Sequence, residues 1–185
     1  GPAAFAGTDG RYFVANHSVA VPQLWVTDTT ANRHWAIGER AAQLVTFQDG
    51  TVWGITDSSP AVPGTPAKQA GPGMLFRYRP GAAKVDLVPE VGAVGPILES
   101  PGPAAGVLLG MGNKVGLYAP ELAKVVAASD LPAPIAAVAT DCQGGRAYLV
   151  LSDSAVFSCA VSTDLQLAVT DLGVRFGSTE RGCLV

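Results

Sequence analysis

Leu44-Val45-Thr46-Phe47-Gln48-Asp49-Gly50-Thr51-Val52-Trp53-Gly54-Ile55-Thr56 reads as two strand-like runs hinged on one glycine. β-branched and aromatic residues fill both arms, and Asp-Gly sits where a tight reversal is needed. The form recurs at Gly10 in FAGTDGRYFVAN, Gly102 in ILESPGPAAGVLL and Gly145 in VATDCQGGRAYLVL, and in shortened form at Gly182 in RFGSTERGCLV. Successive glycines are 40, 52, 43 and 37 residues apart, the spacing of one repeating four-stranded unit.

Each copy divides into four strands, A to D. The first, about residues 3–38, predicts strands near Ala3–Ala6, Tyr12–Ala15, Leu24–Thr27 and His34–Ile37. The second, about 41–91, predicts Leu44–Phe47, Val52–Thr56, Leu75–Tyr78 and Lys84–Val88. The third, about 94–131, predicts Pro96–Glu99, Gly106–Gly110, Gly116–Tyr118 and Lys124–Ala127. The fourth, about 135–172, predicts Ile135–Ala139, Ala147–Leu151, Val156–Ala160 and Gln166–Val169, and residues 175–185 supply half of a fifth copy. Strand C carries an aromatic in every copy (Trp25, Phe76, Tyr118, Phe157). Strand A is poor in bulk, as a strand lining a crowded channel must be. The expected fold is all-β, a β-propeller of about four and a half four-stranded blades, with the ring completed by more chain or by another subunit.

Two segments resist the pattern. Pro120–Ala128 has short helical spacing at Leu122, Val125 and Val126 behind an opening proline, but its counterparts in the other copies read as strand. Residues 58–73 hold four Pro and three Gly and form either a surface loop or a lid over a site.

Bulk properties narrow the function classes. Apolar residues make up 48% of the 185-residue chain and charged residues 15%, which suits a packed domain rather than a disordered one. The net charge of −3, with no Lys/Arg cluster, argues against nucleic acid. No apolar run reaches the roughly 18–20 residues of a membrane span. Gly1-Pro2 has the form of a protease-cleavage scar, compatible with a removed signal peptide. The compartment stays open, with a slight lean to the extracytoplasmic side. Cys142, Cys159 and Cys183 lack the spacing of a disulfide framework or zinc site and read as buried thiols, with one pair as the alternative.

Gln48–Thr56 followed by Gly73-Met74-Leu75-Phe76-Arg77-Tyr78-Arg79-Pro80-Gly81 resembles the blade pattern DG-x-x-W-x-x-T … G-L-x-x-Y-x-P. That pattern belongs to NHL-type, streptogramin-lyase-like and two-component-regulator propellers. Tyr118-Ala119-Pro120 and Asp141–Tyr148 echo it more weakly. The resemblance implies a blade; it does not imply a chemistry. Streptogramin-lyase activity would need histidines at positions where this chain has none, so that activity is not carried over.

In such a fold the B-to-C and D-to-A loops share one face. The B-to-C loops here bring His17, Asp57, Ser58, Asn113 and Asp153 into an arc of polar groups, a default binding-site hypothesis. The plainer reading is that Asn, Asp and Ser close their own turns. Trp35 is the freest of the three tryptophans and joins the binding candidates, whereas Trp25 and Trp53 fit packing between blades. No cofactor is expected. The two histidines, His17 and His34, are too few for a transition-metal site, and calcium at Asp57 and Asp153 is a weak option. No nucleophile elbow occurs. The expected function is a non-catalytic binding or scaffold module whose partner is a protein or further blades. The alternatives are a lyase or hydrolase acting on a carbohydrate or small molecule, and a sugar-binding lectin.

Overall fold

The computed structural model describes residues 2–8, 10–16, 24–38, 41–56, 73–102, 105–141 and 143–176. The chain forms two compact units, Gly1–Val94 and Gly95–Val185. Each holds two antiparallel meanders, and no α-helix occurs among the described residues.

In the first unit, β1 (Pro2–Thr8), β2 (Arg11–Asn16), β3 (Leu24–Asp28) and β4 (Arg33–Gly38) pair in sequence order. The second meander is β5 (Ala41–Thr46), β6 (Val52–Thr56), β7 (Gly73–Tyr78) and β8 (Asp86–Leu87). A two-residue strand, β9 (Ala93–Val94), pairs beside β8 on the start of β7. Alternation of inward and outward side chains decides the packing. Phe13 and Val26 from the first sheet meet Val52, Phe76 and Tyr78 from the second in one core, all nearly sealed from water. Phe13 and Tyr78 meet edge to face, with ring centres 5.2 Å apart.

The second unit repeats the scheme. Its first sheet is β10 (Ile97–Glu99), β11 (Val107–Gly110), β12 (Lys114–Ala119) and β13 (Lys124–Asp130). The other is β14 (Ile135–Thr140), β15 (Ala147–Leu151), β16 (Ala155–Val161) and β17 (Leu167–Arg175). Leu108, Val115 and Leu117 pack against Leu149, Leu151 and Phe157, and burying each such side chain is worth about 1.5–3 kcal/mol. Cys159 lies in this core as a free thiol, pushed up to about 12 by burial. Cys142 and Cys183 lie outside the described residues.

The turn glycines explain the reversals. Gly10, Gly50 and Gly102 adopt left-handed φ of 73°, 80° and 81°. In the last sheet that role falls to Gly144, at φ 68°, not to Gly145, whose N–H instead reaches the Asp141 carboxylate at 2.8 Å. Gly182 lies outside the described residues, as does the half-blade at 175–185 apart from Arg175, which ends β17, and Phe176. A bulge skips one alanine near the start of three A strands, at Ala3, Ala42 and Ala136. The helical spacing at Pro120–Ala128 becomes a single 3-10 turn, Pro120–Leu122. It is stopped by left-handed Ala123 and followed by strand. Of the 58–73 insertion only Gly73 is described, and it opens β7.

Candidate functional site

The turns between the second and third strands of each sheet carry the candidate residues. His17, Asp57 and Ser58 lie outside the described residues. Asn113 and Asp153 are described, and both belong to the second unit.

Asn113 sits in a two-residue hairpin between β11 and β12. Met111 and Lys114 exchange backbone hydrogen bonds of 2.9 and 3.2 Å around it, and Gly112 supplies the left-handed position at φ 59°. Asp153 sits in the turn between β15 and β16, where its Oδ1 accepts the Ala155 N–H at 3.1 Å. This is the self-closing Asx geometry, so that carboxylate oxygen has a structural task. Both residues are exposed.

One connector ties the two turns together. Leu131, just after β13, donates its N–H to the Asn113 carbonyl at 2.8 Å. Three residues later the Pro134 carbonyl accepts the Ser152 N–H at 2.8 Å. Leu131 is itself anchored in the core at 6% exposure. The same stitch recurs one sheet on, where the Phe176 N–H reaches the Ser154 carbonyl at 3.0 Å. Asn113 and Asp153 therefore stand on turns that are each hydrogen-bonded to one connector, the Asn113 turn through its buried Leu131 and the Asp153 turn through its exposed Pro134. Beside Asn113, the Lys114 ammonium pairs with Asp130 at 2.9 Å, both groups well exposed.

Trp35 does not join these turns. It lies on β4, half-buried against the core of the first unit, and its indole N–H donates to the Ala82 carbonyl at 3.4 Å. The Arg33 guanidinium covers its ring at 4.8 Å. Trp53 is 2% exposed and also lies beneath a guanidinium, that of Arg77, at 5.4 Å. The aromatic pair that reading the sequence missed is Trp25 with His34, stacked at 4.6 Å and 7°. Thr27 Oγ1 lies 2.8 Å from His34 Nδ1. Register, not sequence spacing, creates this pair: Thr27 sits opposite His34, which makes Trp25 and His34 diagonal neighbours.

Charge chemistry concentrates at the other end of the first sheet. Asp28 Oδ2 accepts from Arg11 Nε at 2.9 Å, and Oδ1 accepts the Ala31 N–H at 2.9 Å. The Ala31 N–H is the main cause holding the Asp28 carboxyl below its ordinary range, with Arg11 adding to it against the opposing effect of burial. Among the described residues no three His, Cys, Asp or Glu side chains converge as metal ligands. No helix among them is long and apolar enough to cross a membrane.

No family model matches the chain, and no curated protein matches it in sequence. Solved structures do match in fold. The β-propeller domain of Cps50 (Swd1) from Myceliophteria thermophila superposes with a TM-score of 0.63 at 9% identity, over 94% of this chain and 60% of that one. YCF48 bound to D1 peptide gives 0.58 at 10%, over 89% and 51%. The extracellular domain of BT4673 from B. thetaiotaomicron gives 0.59 at 12%, over 90% and 22%. This chain therefore spans less than two thirds of each. The fold is a β-propeller fold, with four four-stranded blades among the described residues.

Proposed function

We propose that the chain is a non-catalytic recognition or scaffold module that takes a protein partner on the turn-bearing end of its blades. The observation that carries this reading is the shared connector at 131–134, which fixes the turns of Asn113 and Asp153 side by side while leaving both side chains exposed. Fixed backbone with exposed polar tips lowers the ordering cost of binding an extended ligand. The likeness to YCF48, whose structure holds a peptide, supports the same class of partner. Within the propellers, the sequence at 48–56 and 73–81 favours the NHL, streptogramin-lyase-like or two-component-regulator type of blade.

Selection from a displayed random-peptide library on the immobilised chain tests the proposal. Enriched peptides are expected to lose at least tenfold in affinity against an Asn113→Arg/Asp153→Arg double variant whose melting temperature is otherwise near that of the parent. Peptides that bind the double variant equally well would contradict the assignment of this end. Turnover in a glycosidase, lyase and esterase panel would favour the enzyme reading instead.

A further inference from the structure

The first sheet ends in a row of charge. Arg11 pairs with Asp28 and Asp28 with Arg33 in the registers of β2–β3 and β3–β4, so the three side chains share one face. It is the face of Phe13, Val26 and Trp35, two residues further along each strand. Asp28 is the acceptor of the row, and each of its oxygens already accepts a hydrogen bond, from Arg11 Nε and from the Ala31 N–H.

The donors beside it are in excess. Nε is the one nitrogen of the Arg11 guanidinium with a hydrogen bond among the described residues. The exposed Arg33 guanidinium has no carboxylate within ion-pair distance among them, and it lies over the Trp35 ring at 4.8 Å. Stacking there orients its planar fork. The third donor is Tyr78. Its ring meets Phe13 edge to face, and its hydroxyl is sealed from water with no hydrogen-bond partner among the described residues. That hydroxyl feels the charges of Arg11, Asp28 and Arg33, which places it beside the row. Burial, the largest cause, raises its pKa against the lowering effect of the Gly81 N–H, so it stays protonated and remains a donor. A sealed O–H costs stability until something accepts from it.

We propose that this row is a carboxylate-binding site for an acidic peptide, the carboxylate held by the Arg33 fork and the free nitrogens of Arg11, and accepting from Tyr78 as the exposed Arg33 side chain swings to meet it. Charge complementarity selects the occupant. Two arginines against one aspartate, itself held ionised by the Ala31 N–H and Arg11, leave a net charge of +1, which one carboxylate balances. A guanidinium fork matches two coplanar oxygens, whereas a cation would be repelled. An exposed ion pair alone is weak, so the carboxylate is one carried on a chain that makes further contacts.

Fluorescence anisotropy of a rhodamine-labelled tetraglutamate peptide with blocked termini, at low ionic strength, tests this on the 185-residue chain. The parent should bind it and leave the matching tetraglutamine peptide unbound. Arg33→Gln should weaken binding about tenfold and Tyr78→Phe about fivefold. Arg33→Lys, which keeps the charge but not the fork, should recover only part of the loss. Tyr78→Phe decides most, because it leaves the charge unaltered and removes only an unpartnered hydroxyl, so the fold should survive. Lys124→Gln, at an exposed lysine of the second unit, should bind as the parent does. Failure of the parent to bind, undiminished binding by folded Arg33→Gln and Tyr78→Phe chains, or an equal loss in Lys124→Gln would overturn the proposal. So would displacement of the peptide by inorganic phosphate at concentrations where acetate has no effect, which would assign the row to phosphate. None of these outcomes bears on the Asn113→Arg/Asp153→Arg comparison, so the two readings fail separately.

Discussion

Asp28 shows how much one side chain can organise at a strand end. Its carboxylate closes the turn to Ala31 and holds Arg11 across the β2–β3 pair, at 5% exposure for the residue as a whole. Its folded-state pKa is lowered, chiefly by the Ala31 N–H. A lowered carboxylate pKa contributes stability above the unfolded-state value, and that contribution disappears as pH falls through the folded-state value. Thermal melts should therefore show a loss of stability on the acid side, below about pH 4. Asp28→Asn should melt lower than the parent at pH 7 and converge toward it at pH 3. A constant gap between the two across that range would show that ionisation of Asp28 has no part in it. The charge pairing was not legible in the sequence, because Arg11 and Asp28 are 17 positions apart and meet only through the register. The turn glycines were legible, since few residues other than glycine tolerate φ near +80°. Where two glycines adjoin, at Gly144-Gly145, sequence alone cannot choose between them.

At the scale of elements, the β6–β7 pair rests on a vacancy. Gly54 lies opposite Phe76, and the ring of Phe76, 1% exposed, occupies the space above the glycine. A methyl group at Gly54 would overlap that ring, and a sealed core leaves it little room to retreat. Gly54→Ala should cost about 1–3 kcal/mol by urea denaturation, the usual range for overpacking. Adding Phe76→Leu should return part of the loss; strictly additive effects would argue against direct contact. Strands rich in β-branched and aromatic residues announced themselves, as β6, β7, β15 and β16 do. Elements set by pairing did not. β9 is two residues long, and β17 runs to Arg175 because a bulge at Leu172 and Gly173 lets the strand pass them and pair again. The proline at Pro120 began a helical turn as its chemistry suggests, but one turn without tertiary packing does not propagate.

At the scale of the molecule, the repeat in sequence and the repeat in structure agree because, within each unit, each meander hides one face on its partner. The site was less legible than the fold. Asn113 and Asp153 stand together through hydrogen bonds to the 131–134 connector, which no spacing in the sequence announces. Trp35, the freest tryptophan by its place in the sequence, is held by the core and by Ala82. Amide hydrogen exchange resolved by peptide mass spectrometry tests whether the chain holds four successive four-stranded blades. Four separate maxima of protection are expected, each on a second and third strand: β2–β3, β6–β7, β11–β12 and β15–β16. Residues 120–122 and the outer edge of β17 should exchange quickly. Continuous slow exchange through 120–128, or rapid exchange through β11, β12, β15 and β16, would contradict it.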